Sequence, residues 1–248
     1  MKELEKIEKL RTFINLYIDK FEDEGSEGSD FKIPEFDLYA RDYLGFAENQ
    51  IKIGTTEARI NCISNLKRAV DCQIDTFLFS LSIYEVFKKR NLKFERKLEL
   101  VEAIGVFNSN SLAKLNKIRN KMEHEYTIPD INEIDLYFDL VSAFVSNLES
   151  VITVLTWDEM NFNVYNEEGE FELFFNLKLE RGAEQKIVAK WIGKRELNEI
   201  IEVSFNEYKC YGFYLRCLYL LNIRNVFASN KYVKDEITKS YNKLCNPI

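Results

Sequence analysis

The only histidine of this 248-residue chain, His124, stands five residues after Arg119, and Asn120 follows that arginine at once, in the segment Ile118-Arg119-Asn120-Lys121-Met122-Glu123-His124-Glu125-Tyr126. Imidazole is the side chain whose ordinary pKa lies nearest neutrality. Any imidazole acid–base chemistry here therefore falls to His124. One histidine cannot build a multi-histidine metal site, and no metal or cofactor is expected. Arginine and histidine without a metal suit RNA cleavage. The ribose 2′-hydroxyl is a nucleophile built into the substrate, and imidazole can take its proton or protonate the leaving oxygen. Guanidinium stabilises the charge that gathers on the phosphate in the transition state. DNA lacks the 2′-hydroxyl, so this chemistry selects RNA.

The helix that must carry these groups has a mixed face. At about 100° per residue, Leu112, Leu115, Ile118 and Met122 share one arc, and Arg119 falls within it, near Leu112 and Tyr126. A guanidinium on an apolar stripe is costly unless something pairs with it or the stripe meets another chain. His124 and Asn120, four residues apart, lie together on a different face, so one amide can orient one imidazole. Two copies related by a two-fold axis can then surround one phosphate with two guanidiniums and two imidazoles, and a homodimer is expected. Plainer readings stand beside this one. His124 can serve as a helix-end residue on the C-terminal dipole, and Tyr126 as a core aromatic. The spacing can also be a chance feature of an ordinary helical interaction protein.

Hydrophobic residues make up 46% and charged residues 30% of the chain, the balance of a globular protein, and its 5 cysteines include no C-x-x-C pair. Reduced thiols packed as small core residues, in a cytoplasm, are the expectation. No apolar run approaches the roughly 20 residues that span a bilayer, and the N-terminus lacks a signal-peptide core. The net charge of −7 does not suggest a general nucleic-acid binder, but it is unevenly spread. Residues 1–50 carry 7 basic and 13 acidic side chains, whereas residues 51–121 carry 14 basic and 7 acidic. Lys67, Arg68, Lys114, Lys117 and Lys121 in that basic block are candidate RNA contacts, or else a solvated face.

Apolar periodicity predicts a mostly helical first part. The expected helices are 1–24, Pro34 to about Gln50, a long helix capped by Thr55 or Thr56 and reaching Arg90, and a short one over 95–106. The motif helix follows, capped by Ser109, Asn110 or Ser111, and after Pro129 another runs over 131–156. Residues 22–30, EDEGSEGSD, read as an acidic, mobile break. Alternation over 160–192 predicts three strands, with a turn at Asn166–Gly169. Helices are expected near 195–205, 208–228 and 232–244. The fold class is therefore mostly α: a helical bundle over 1–156, then a smaller α+β domain over 157–248 with a β-meander and helices.

Arg119, Asn120 and His124, near the end of a helix in an all-α region of this length, resemble the HEPN superfamily, whose ribonucleases bear an R-x(4–6)-H motif, often with a polar residue after the arginine. With Tyr126 the string becomes R-x4-H-x-Y, similar to HepT toxins. The resemblance covers about residues 1–156, and residues 157–248 have no counterpart in a minimal HepT. It implies a HEPN-like bundle and a homodimeric, metal-independent endoribonuclease acting as a toxin or antiphage-defence effector. Arg119 and His124 form its catalytic pair. It also implies control at Tyr126, which in HepT toxins is modified with AMP by a partner nucleotidyltransferase antitoxin. Many HEPN domains are not enzymes, so the resemblance equally allows a non-catalytic module that binds RNA, nucleotide or protein.

Overall fold

The structure is a computed structural model that describes residues 1–30, 32–105, 107, 109–125, 131–182, 184–194 and 198–245. Of residues 109, 115, 119, 122–125, 131 and 132 it describes the backbone alone. The described residues form helices α1 (Glu3–Tyr17), α2 (Ala40–Ile53), α3 (Thr56–Ser80), α4 (Tyr84–Lys89), α5 (Phe94–Ile104), α6 (Ser109–Glu125), α7 (Ile131–Val154), α8 (Tyr208–Ile223) and α9 (Asn230–Cys245). Strands β1 (Phe21–Glu27), β2 (Glu159–Tyr165), β3 (Phe171–Glu180), β4 (Lys186–Gly193) and β5 (Glu199–Ser204) form one antiparallel sheet in that order. The chain is thus mostly α, with its sheet largely in the C-terminal part.

Two of the strands lie where the sequence predicts none. The acidic stretch from Phe21 is not a free break. It pairs with β2, Phe21 opposite Val164 and Glu27 opposite Glu159, with a bulge between Asp23 and Gly25. Gly25, at φ +130°, takes a backbone conformation that side chains disfavour. Pairing wins over composition because β2 offers an open ladder, and the carboxylates then sit exposed along an outer edge where charge discourages further pairing. At the other end, the helix expected near 195–205 is strand β5. Ile201 and Val203 are buried and alternate with outward Glu202, a period of two that fits pairing with β4.

The long helix expected to reach Arg90 stops at Ser80. Ser82 adopts φ +58°, and Leu81 and Ile83 on either side turn fully into the core before α4 begins. Thr55 does cap the start of α3, its Oγ1 accepting from the Ala58 N–H at 3.2 Å. The helix expected from Pro34 starts at Ala40 instead. Asp42 sets that start by accepting from the Tyr39 N–H at 2.8 Å.

Helix α8 runs through the middle of the molecule and is buried on nearly every side. It packs on α1, α5, α9 and the sheet. The inner sheet face, including Phe162, Phe175, Leu177 and Trp191, lies beneath α1, where Phe13 stacks on Trp191 at 4.5 Å. The Tyr214 hydroxyl donates to the Lys6 carbonyl at 2.9 Å, joining α8 to α1. Residues 1–27 therefore pack with the elements that follow residue 157. Helix α3 packs chiefly on α2 and α7, and also on α5 and α6.

Candidate functional site

Helix α6 is an unbroken helix from Ser109 to Glu125, so the backbones of Arg119, Asn120 and His124 share one element as predicted. The side chains of Arg119 and His124, and all of Tyr126, lie outside the described residues. Around them the helix is sided. Leu112 is 3% exposed, and Ile118 packs partly against the core. Lys114, Lys117, Asn120 and Lys121 are all exposed. The three lysines recur at i, i+3 and i+7, one row along the outer side. Asn120 lies between that row and the buried side, open to solvent.

The base of α6 is held from two directions. Phe107, in the connection from α5, meets Phe144 of α7 edge-on at 5.2 Å. The Ile104 carbonyl, at the end of α5, accepts from Arg216 of α8, whose guanidinium also pairs with Glu236 of α9. Gly105 caps α5 at φ +72°, directly over that guanidinium, where a Cβ would overlap it. Gly105→Ala therefore carries a backbone penalty of about 1–2 kcal/mol as well as displacing a buried cation. We expect urea denaturation to show a loss of about 2 kcal/mol or more; a neutral result would mean that Arg216 does not hold this junction.

The remaining candidate cations are on α3. Arg68 is exposed. Lys67 is ion-paired with Asp71 at 3.1 Å, so its charge is met within the helix. Burial pushes the Asp71 carboxyl above the usual carboxylate range, and Lys67 offsets this in part. The structure thus brings Lys114, Lys117, Asn120 and Lys121 onto one exposed helix side, while Lys67 is engaged elsewhere.

Three of the cysteines pack as small apolar residues. Cys62, Cys210 and Cys217 are buried, and burial raises the thiol of Cys62 to about 11 and that of Cys210 to about 12. These are poor thiolate nucleophiles. Among the described residues, no group of three or more His, Cys, Asp or Glu side chains is placed to hold a metal ion. Nor, among them, is any helix long and apolar enough to cross a membrane. A cleft of about 340 Å³ opens between α5, α8 and α9, lined by Ala103, Tyr208, Phe213 and Leu244. Its rim carboxylate Glu102 is already paired with Lys243. Sequence reasoning missed a basic turn between α4 and α5, although local charge density would have singled it out.

No family model matches the chain, and comparison with curated proteins and with solved structures gives no match.

Proposed function

We propose that this chain is a metal-independent endoribonuclease of the HEPN type, a cytoplasmic homodimer acting as a toxin or antiphage-defence effector. One observation carries the reading. Arg119, Asn120 and His124 stand at R-N-x3-H spacing within a single unbroken helix, and its exposed side also presents Asn120 and the lysine row of 114, 117 and 121.

The chemistry follows from those groups. In the dimer, one His124 imidazole takes the proton of the ribose 2′-hydroxyl. The freed oxygen bonds to the adjacent phosphorus, and the bond from phosphorus to the 5′-oxygen of the next nucleotide breaks. The second imidazole, in its protonated form, gives its proton to that leaving oxygen. The products are a 2′,3′-cyclic phosphate and a 5′-hydroxyl end. Arg119 binds the non-bridging oxygens through charge-assisted hydrogen bonds, which strengthen as charge builds. Asn120 orients the imidazole. Lys114, Lys117, Lys121 and Arg68 attract the RNA backbone. Tyr126 is the point of control. A nucleotidyltransferase partner adding AMP there, or an antitoxin covering it, places a phosphate or a steric block beside the Arg119 pocket.

An RNA oligonucleotide with a single 2′-deoxy sugar at the mapped cleavage position tests this. The unmodified strand is expected to give fragments ending in cyclic phosphate, and the substituted strand to resist cutting at that position. Cleavage of both strands would rule out 2′-hydroxyl attack. Tight binding with no cleavage of either would favour the non-catalytic module.

A further inference from the structure

We propose that the turn between α4 and α5 is a second RNA-binding surface, which holds single-stranded substrate through Lys88, Lys89 and Lys93 while α6 acts on it. The choice of RNA as the polyanion rests on the ribonuclease reading; the surface itself rests on its own geometry. Residues 88–97 carry six basic side chains, Lys88, Lys89, Arg90, Lys93, Arg96 and Lys97, against the single acid Glu95, in a chain of net charge −7.

The structure sorts these six. Arg96 is paired with Glu99 at 2.6 Å and Lys97 with Asp75, and Arg90 donates to the Asn206 side chain. Lys88, Lys89 and Lys93 are exposed, and among the described residues no carboxylate pairs with any of them. An acidic protein that leaves three neighbouring lysines unanswered keeps a local positive field that surrounding carboxylates would otherwise cancel.

The scaffold beneath them is firm. Asn91 closes the turn at φ +47°, and its N–H donates to the Lys88 carbonyl at 3.1 Å. The Leu92 N–H donates to the Phe87 carbonyl at 3.1 Å. Phe87, 2% exposed, anchors α4 against Phe205 at 5.4 Å. The lysine heads are therefore presented from a fixed base, which lowers the ordering cost of binding.

Two features choose the ligand class. None of the large hydrophobic side chains exposed on the surface belongs to residues 81–104. A membrane-docking turn needs apolar groups to insert, so an anionic lipid surface fits poorly. In-line attack by a 2′-hydroxyl needs a backbone free to rotate, which favours single strands over duplex. Helix α5, 11 residues and so about 16 Å long, separates the turn from the start of α6. A strand of several nucleotides spans the length of α5; a dinucleotide does not.

The test is fluorescence anisotropy of a labelled 20-nucleotide single-stranded RNA across a salt series, with the His124→Ala protein so that the probe survives. The comparison adds Lys88→Ala, Lys89→Ala and Lys93→Ala together. Three lost phosphate contacts should lower the slope of log affinity against log salt by about 2, and weaken binding near 0.1 M salt by roughly tenfold. Replacing the same three by arginine should preserve both. On the wild-type background, the triple alanine variant should cleave long RNA less well and a dinucleotide at the normal rate. An unchanged slope and affinity would overturn the surface, even if the protein proves to be a ribonuclease. Loss of binding to phosphatidylserine vesicles with RNA binding intact would overturn it in favour of a lipid. Patch-dependent binding in a protein that never cleaves would sustain the surface and remove the ribonuclease reading.

Discussion

Asp158→Ala should destabilise the chain by about 3–5 kcal/mol, the usual consequence of leaving one member of a buried ion pair alone. Asp158 is 5% exposed, and its carboxylate accepts from Arg181 and from the Ser29 hydroxyl. The Arg181 side chain that it serves is only 8% exposed. The Arg181 Nε donates to the Ser80 carbonyl at 2.8 Å, and its Nη2 to the Leu155 carbonyl at 2.5 Å. One side chain thus ties the ends of α3 and α7 to the segment after β3. Burial lowers the pKa of Arg181, and Asp158 opposes that shift. Removal of the carboxylate leaves a desolvated cation at the joint between the helices and the sheet. Urea denaturation at pH 7 measures the effect. Arg181→Met added to Asp158→Ala should recover part of the loss, because an apolar pair of similar volume carries no desolvation cost. A single-variant loss under 1 kcal/mol would show that the pair is solvated.

Arg119→Ala and His124→Ala should each lower RNA cleavage by about 10²-fold or more, the scale for losing one charge-stabilising or acid–base group. Together they should cost far less than the product of the two, since groups acting on one transition state are not additive. Activity and urea denaturation measured on the same preparations separate a catalytic loss from a structural one. Equal activity in both variants and wild type would reject the pair.

What the sequence made legible followed from strong local signals. Thr55 caps α3, and Asn166 closes the β2–β3 turn by accepting from the Glu168 and Glu170 N–H groups at 3.0 and 2.9 Å. The alternation of Phe171, Leu173, Phe175, Leu177 and Leu179 set β3. The motif helix was equally plain from its apolar spacing. What stayed hidden depends on distant partners. β1 is written in acidic and small residues and becomes a strand only against β2. Arg224 then secures it, donating to Asp23 at 2.7 Å and to the Ile18 and Phe21 carbonyls, with its guanidinium 5.1 Å from the Phe162 ring. No local rule announces that an arginine beyond α8 belongs under the first strand. At the site, the types and spacing of Arg119, Asn120 and His124 were readable. The engagement of Lys67 by Asp71 was not, because a lysine four residues before an aspartate reads the same whether or not the pair closes.

The most direct test of the account is incubation of the purified full chain with total RNA in excess EDTA, beside the Arg119→Ala and His124→Ala proteins. The account predicts that the wild-type chain cleaves the RNA without any divalent ion, leaving cyclic phosphate ends, and that both variants leave it intact over the same time. Cleavage that appears only when Mg²⁺ is restored, or that persists in both variants, would contradict it.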